Sequence, residues 1–442
     1  MKLQHMIFKT FMASFLAILI LGGGSAMAQD SAAGSSTLSN IAGSYPGPAL
    51  TDPLTPVVVF PAFHFTKLKV KAQNQTVAPE CPTSGTFEDW FLNDSPSAKF
   101  SQVCQDKLLT LVVDPDASKP MPERFSNQPG VTVKLKYFGK TQSAPFYDPL
   151  YVFLEANGYV RNRNIRVAGY DSRLTPDMDG FLERTIALIE ETYYENGNTP
   201  VHLVGHSNGP LYAQFLLTHT TQAWKNQFIH GFTPIAGNWP GQGIFYPVCF
   251  TGFNIIDFNF PKNAANAASS ATMFQTHPSS YMSSSDPAVF RKQEVVVQTV
   301  QPSKTYTPKD NRELFRDAGL SLAQELAAFY VGFVKFAKPA FFPMVDVYAE
   351  KGSGIATPVG LALQDLSVGQ VFDPSTDVSF TRDGDFNQED ITNDAIQVWG
   401  NMPCFRFEFT DNVGVDHFAL PSNTAVLQRL LANLQRPKSV CP

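Results

Sequence analysis

Pro200-Val201-His202-Leu203-Val204-Gly205-His206-Ser207-Asn208-Gly209-Pro210 decides how the rest of the chain is read. Its first five residues form a short apolar, β-branched run that predicts a buried strand. Pro210 suits the first turn of a helix continuing through Leu211, Tyr212, Phe215 and Leu216. Between strand and helix stands Gly-x-Ser-x-Gly, the sharp bend that lifts a serine hydroxyl clear of a sheet. Both glycines have a steric purpose, because a Cβ at either position would collide with neighbouring backbone.

Strand, bend and helix in that order are the context of the nucleophile in an α/β-hydrolase, and the flanks agree. Residues 56–61, 165–168, 231–236 and 345–348 read as short strands, 131–135 alternates, and 181–194 has helical apolar spacing. This alternation predicts an α/β fold with a mostly parallel central sheet, helices on both faces and lid or cap insertions. The hydrolase domain is expected over 51–436, with a loosely held arm at 29–50 and a tail at 437–442. From about Gly241 to Lys309 the alternation stops in a stretch rich in Ser, Asn, Ala and Phe. That length is too great for a plain connector and is expected to form a lid or cap.

The N-terminus is read apart from the fold. Lys2 and Lys9 precede the apolar run Phe11 to Leu21, then three glycines and Ala26-Met27-Ala28. Eleven apolar residues are too few to span a bilayer, so 1–28 is expected to be a cleaved secretory signal. The mature chain is expected to be secreted or lumenal. Charge supports this only by exclusion. The chain carries 33 basic and 39 acidic residues, a net −6; without Lys2 and Lys9 it is 31 against 39, or −8. Acidic balance argues against nucleic acid as a partner and leaves apolar contact as the route to a lipid surface. Asn74-Gln75-Thr76 and Asn93-Asp94-Ser95 are glycosylation sequons. Five cysteines in an exported chain imply disulfides with at least one left over, and none has zinc-ligand spacing. No metal and no cofactor are expected.

A serine hydroxyl needs a base to take its proton and an acid to hold that base in one tautomer. In this fold the chain order is Ser, then Asp or Glu, then His. Beyond Ser207 the histidines are His219, His230, His277 and His417. His219 lies twelve residues along the elbow helix, roughly 18 Å away. His230 precedes a strand, and His277 falls in the insertion. His417 alone follows every C-terminal strand and is the expected base. For the acid, Asp383, Asp385, Glu389, Asp390 and Asp394 compete within one turn-rich loop, and no EF-hand glycine supports a calcium reading there. The oxyanion needs backbone donors. Asn208 N–H at the helix start is one candidate, and Phe63 N–H, after the strand Val57 to Phe60, is the other.

These motifs together resemble the lecithin–cholesterol acyltransferase family, from about Pro56 to about Leu434. Pro129-Gly130-Val131, Phe138-Gly139-Lys140-Thr141, Asn157-Gly158-Tyr159 and Ala168 through Leu174 are similar to successive family motifs. So are Gln222-Ala223-Trp224-Lys225 and Asp383-Gly384-Asp385, where the second aspartate, Asp385, matches the acid. The resemblance implies a lipid substrate, with Ser207, Asp385 and His417 transferring a fatty acyl group from a glycerophospholipid. The acceptor would be water, a sterol or another alcohol. It implies a phospholipid membrane or lipoprotein-like surface as partner. A Cys81–Cys104 loop is expected, and the resemblance gives it the role of touching lipid through Trp90, Phe91 and Leu92. Cys249, Cys404 and Cys441 allow three further pairings. The chain departs from the family at Ser172, where tryptophan is usual, at Asn208, where an apolar residue is usual, and at Ala62, where glycine is usual. Ile396 stands where a second disulfide would need cysteine. A soluble esterase without preference for lipid surfaces, and a silent lipid-binding protein of the same fold, are the competing readings.

Overall fold

The computed structural model describes residues 53–89, 99–252, 263–290, 294–330, 341–371, 377, 381–439 and 441. The expected signal at 1–28, the arm at 29–50, residues 253–262 of the insertion, and Trp90, Phe91 and Leu92 lie outside the described residues.

Among the described residues six strands build the main sheet: β1 Val57–Phe60, β2 Ile165–Val167, β3 Val201–His206, β4 Ile229–Ile235, β5 Val347–Ser353 and β6 Phe407–Val413. Their spatial order is β6-β5-β4-β3-β1-β2, and every pairing is parallel. β1 to β5 are buried along their whole length. That is why they read as apolar runs rather than alternating ones: a parallel strand covered on both faces has no solvent side. Helices pack around the sheet, among them α1 Phe181–Glu195, α2 Gly209–Thr218, α3 Phe245–Thr251, α4 Ala264–Gln275, α5 Pro278–Met282 and α6 Thr424–Leu434. The mostly parallel sheet and its surrounding helices bear out the α/β-hydrolase fold.

Three details differ from the sequence reading. Val131–Leu135 lies outside the main sheet. It pairs antiparallel with Leu68–Ala72, which pairs in turn with Gly85–Asp89. Its alternating exposure is that of a strand with one wet face. β5 runs on to Ser353 through Glu350 and Lys351, charges that hide a strand from a hydropathy scan. Both are buried and paired, Glu350 with Arg429 and Lys351 with Asp390 and Asp394. β6 is an edge strand rich in polar residues, which left no apolar run to read.

Cys81 and Cys104 are bonded, as are Cys404 and Cys441, leaving Cys249 as a buried free thiol. The first bond sits in an apolar cluster with Val70, Phe87, Phe100 and Leu108 that also takes in Met273 and Phe274 of α4 and the edge of Phe63. No helix among the described residues is long and apolar enough to cross a membrane.

Candidate active site

The parallel strands all deliver their C-terminal ends to one side, where crevices of open α/β sheets form. Phe60 of β1 is level with Gly205 of β3, His206 with Ile235 of β4, and Ser353 of β5 with Val413 of β6. The loops that follow carry Phe63, Ser207, Asn238 and His417.

Ser207 stands between β3 and α2 with φ 59°, left-handed backbone that a side chain rarely adopts. Its N–H is held by Ile235 O (2.9 Å) and its carbonyl by Asn238 N–H (3.0 Å), so the bend is fixed by the neighbouring strand. A Cβ on Gly209 would lie 2.1 Å from Phe60 O, and one on Gly205 2.8 Å from Pro210 N. The two glycines are therefore demanded by close approach.

Asp385 and His417 meet across a loop pair beyond β5 and β6. His417 Nδ1 is 2.8 Å from Asp385 Oδ2, and His417 N–H donates to Asp385 O at 2.9 Å. Asp385 is fully buried, and its other oxygen accepts from Asn387 N–H (3.1 Å) and Gln388 N–H (2.7 Å). A carboxylate held this way keeps the imidazole proton on Nδ1 and leaves Nε2 as the basic nitrogen. The loops approach so closely that a Cβ on Gly352, in β5, would lie 2.2 Å from Val415 O and 3.0 Å from Asp385 Cβ. The competing acids are engaged elsewhere: Asp383 accepts from Gly354 N–H, Glu389 from Gly243 N–H, and Asp390 and Asp394 from Lys351. The other histidines also point away, His219 to Phe215 O, His230 to Arg436 O and His277 to Leu109 O.

Two residues that sequence reasoning missed tie these parts together. His206 Nε2 lies 3.0 Å from His417 O, so that nitrogen carries the proton. His206 Nδ1 then accepts from the Tyr147 hydroxyl (3.0 Å), whose oxygen accepts Ala62 N–H (2.8 Å). A directional chain thus runs from the loop after β1, through the residue before Ser207, to the His417 backbone. Burial, and then the neighbouring His417, hold His206 far below the usual imidazole range, so it stays neutral. No motif signals this role for Tyr147, because it depends on a contact 59 residues away in sequence.

Phe63, Ser207 and Asn208 line one cavity, closed on another side by Ile244, Phe245 and Val248 at α3. The loop bearing Phe63 is pinned by Tyr170 O–H donating to Pro61 O (2.6 Å) and by Phe65 N–H donating to Ala62 O (3.1 Å). Ala62 does not adopt left-handed backbone, whereas His64 does (φ 63°), so alanine fits where the family has glycine. Ser172 is buried, and its carbonyl accepts the Ser279 hydroxyl from α5. Beside it Asp171 and Arg173 form a buried ion pair at 2.6 Å. Burial works against the Asp171 charge, but Arg173 outweighs it and lowers the carboxyl below its ordinary value. Among the described residues no group of three His, Cys, Asp or Glu side chains is placed to hold a metal.

The sequence profile of the lecithin:cholesterol acyltransferase family matches residues 98–336, more than half of the chain. The chain belongs to the lecithin:cholesterol acyltransferase family. The matched stretch takes in Ser207, while Asp385 and His417 lie beyond its end. Among similar proteins, the lysosomal phospholipase A and acyltransferase of Mus musculus is 27% identical over 326 residues, covering 70% of this chain and 74% of that one. The phosphatidylcholine-sterol acyltransferase of Gallus gallus is 27% identical over 309 residues, 66% of this chain and 70% of that protein. The Mus musculus phosphatidylcholine-sterol acyltransferase is 39% identical over 129 residues, 27% of this chain; the chain spans only 29% of that relative. These relatives are named as acyltransferases, and one of them also as a phospholipase.

Proposed function

We propose that this chain is an exported lipid O-acyltransferase and phospholipase A working through Ser207, Asp385 and His417. The observation carrying the proposal is the Asp385–His417 pair, with the His417 carbonyl hydrogen-bonded by His206, the residue next to Ser207. Ser207 attacks the ester carbonyl of a glycerophospholipid as His417 Nε2 takes the hydroxyl proton. Asp385 holds the resulting imidazolium by its Nδ1–H. Negative charge on the former carbonyl oxygen falls to Asn208 N–H, at the start of α2, and Phe63 N–H. The imidazolium returns its proton to the leaving lysolipid alcohol, and an acyl-enzyme remains. Water, a sterol or another alcohol then attacks the acyl-enzyme by the reverse proton path. The relatives' names, phospholipase on one side and sterol acyltransferase on the other, support these two acceptors. Trp90, Phe91 and Leu92, in the loop closed by Cys81–Cys104, would seat the protein on the lipid surface, and α3 to α5 would act as its lid.

The test is fatty acid release from phosphatidylcholine vesicles, with and without cholesterol, by wild type and Ser207→Ala. Release or cholesteryl ester formation is expected from wild type alone. Equal rates from the two proteins would end the proposal.

A further inference from the structure

The cavity beside Ser207 is built for more than a hydrocarbon chain. One side is apolar, formed by Phe63, Ile244, Phe245 and Val248. Facing it are buried polar groups whose hydrogen-bonding capacity is unspent. Asn208 is 2% exposed, and its amide oxygen has no partner. Its amide nitrogen faces the Tyr170 hydroxyl, which donates to Pro61 O (2.6 Å) and has its oxygen free to accept from that nitrogen. Asn238 is 1% exposed. Its nitrogen donates to the Ser283 hydroxyl (2.8 Å), and its oxygen has no partner. The Ser280 hydroxyl, on α5, is likewise buried and unpartnered. All three residues line the same cavity as the Ser207 hydroxyl.

An amide or hydroxyl buried without a partner is costly, and such groups persist in folded proteins when something meets them. Whatever solvent meets them beforehand must leave when a chain enters the cavity. A bare methylene chain would replace it with nothing that donates or accepts. A ligand hydroxyl can do both, as Asn238 Oδ1, Ser280 Oγ and the Asn208 amide oxygen require. Three such groups from three separate elements, the start of α2, the loop after β4 and α5, surround one volume. Their convergence marks a ligand subsite rather than a packing defect in any one element.

We propose that this cavity selects a ligand bearing an aliphatic hydroxyl a few bonds from the reacting carbonyl, read by Asn208, Asn238 and Ser280. The inference rests on Ser207 being the acyl-transferring nucleophile. Two sources share this chemistry: a hydroxylated acyl chain on the donor lipid, and a second hydroxyl on the acceptor alcohol. Sites that hydrogen-bond a substrate hydroxyl discriminate strongly against the analogue lacking it, because their own groups are then left unpaired.

The experiment compares matched pairs in mixed micelles. One arm offers dimyristoyl and di-β-hydroxymyristoyl phosphatidylcholine as donors. The other offers octanol and a vicinal octanediol as acceptors with the plain donor. The readout is the ratio of kcat/KM within each pair, which a general loss of activity does not move. Wild type is expected to favour the hydroxylated member at least tenfold in one arm, which then names the source. Asn238→Leu and Ser280→Ala are expected to bring that ratio down towards one. Ratios near one in both arms for wild type, or a preference that neither substitution alters, overturn the inference. Affinity of the Ser207→Ala protein for the octanediol, octanol, β-hydroxymyristate and myristate is measured by thermal shift. A hydroxyl preference lost in the Asn238→Leu double variant upholds the subsite even if no protein turns over, an outcome that sinks the acyl-transfer reading alone. Equal binding of both members of both pairs overturns the subsite independently of turnover.

Discussion

Ser207 stores strain that a hydroxyl on a bend requires. Its φ of 59° costs an L-residue roughly 1 kcal/mol relative to glycine. Ser207→Gly is therefore expected to melt about 2 °C above Ser207→Ala, both being inactive, as read by calorimetry. A melting order reversed between them would show that the bend is not strained. At the acid, Asp385→Asn keeps the shape but lets His417 Nδ1 accept rather than donate, which strands the wrong tautomer. A fall in kcat of about 10⁴-fold is expected, with little change in melting temperature. Retention of more than a tenth of the activity would remove Asp385 from the proposed role. The same residue scale shows why the acid was ambiguous in the sequence. Five carboxylates share the 383–394 stretch, and only their partners separate them: Lys351 holds two, backbone amides hold others, and one meets His417.

Among the elements, the disulfide segment and α4 form one unit. The Cys81–Cys104 bond lies in the same apolar cluster as Met273 and Phe274. Ser269 and Ser270 of α4 both donate to Asp106 Oδ2 at 2.7 Å, and Gln102 exchanges hydrogen bonds with Asn266 and Ser270. Phe274 in turn packs on Phe63 with ring centres 6.2 Å apart, so this unit backs the loop after β1. Opening a loop whose cysteines stand 23 positions apart should cost about 3 kcal/mol. The double variant Cys81→Ala, Cys104→Ala is expected to lose that stability in urea unfolding and to lose activity before it unfolds globally. Activity and global unfolding that decline together would separate the disulfide unit from the site. The alternating strand Val131–Leu135 belongs to the same unit, and its one wet face explains why it left the main sheet.

For the whole molecule, the carboxyl of Glu389 links pH to the packing of the segment before α3. Burial pushes it up to about 8 against the opposing pull of backbone amides, including Gly243 N–H at 3.1 Å, while nearby Glu294 adds to the rise. The protonated form is favoured in the folded state. Its contribution is complete below the ordinary value of 4.5 and is lost as pH climbs through about 8. Glu389→Gln keeps an oxygen for Gly243 and cannot ionise. The melting temperature of wild type relative to this variant is expected to drop by a few degrees between pH 5 and pH 8.5. A constant difference across that range would mean that Glu389 ionises as readily folded as unfolded.

What the sequence determined by itself were the features written in neighbouring residues. The elbow glycines, the buried parallel strands and the order of serine, acid and histidine all depend on short-range sterics, burial period and chain order. These survive without knowing any contact. Only the tertiary structure decided which carboxylate meets His417, that Cys404 joins Cys441, and that Tyr147 and His206 link the loop after β1 to the His417 backbone. Each of those depends on two segments far apart in the chain arriving within a hydrogen bond or a covalent bond of each other. The polar lining of the cavity belongs to the same class, because Asn208, Asn238 and Ser280 become one surface only where strand ends and α5 converge.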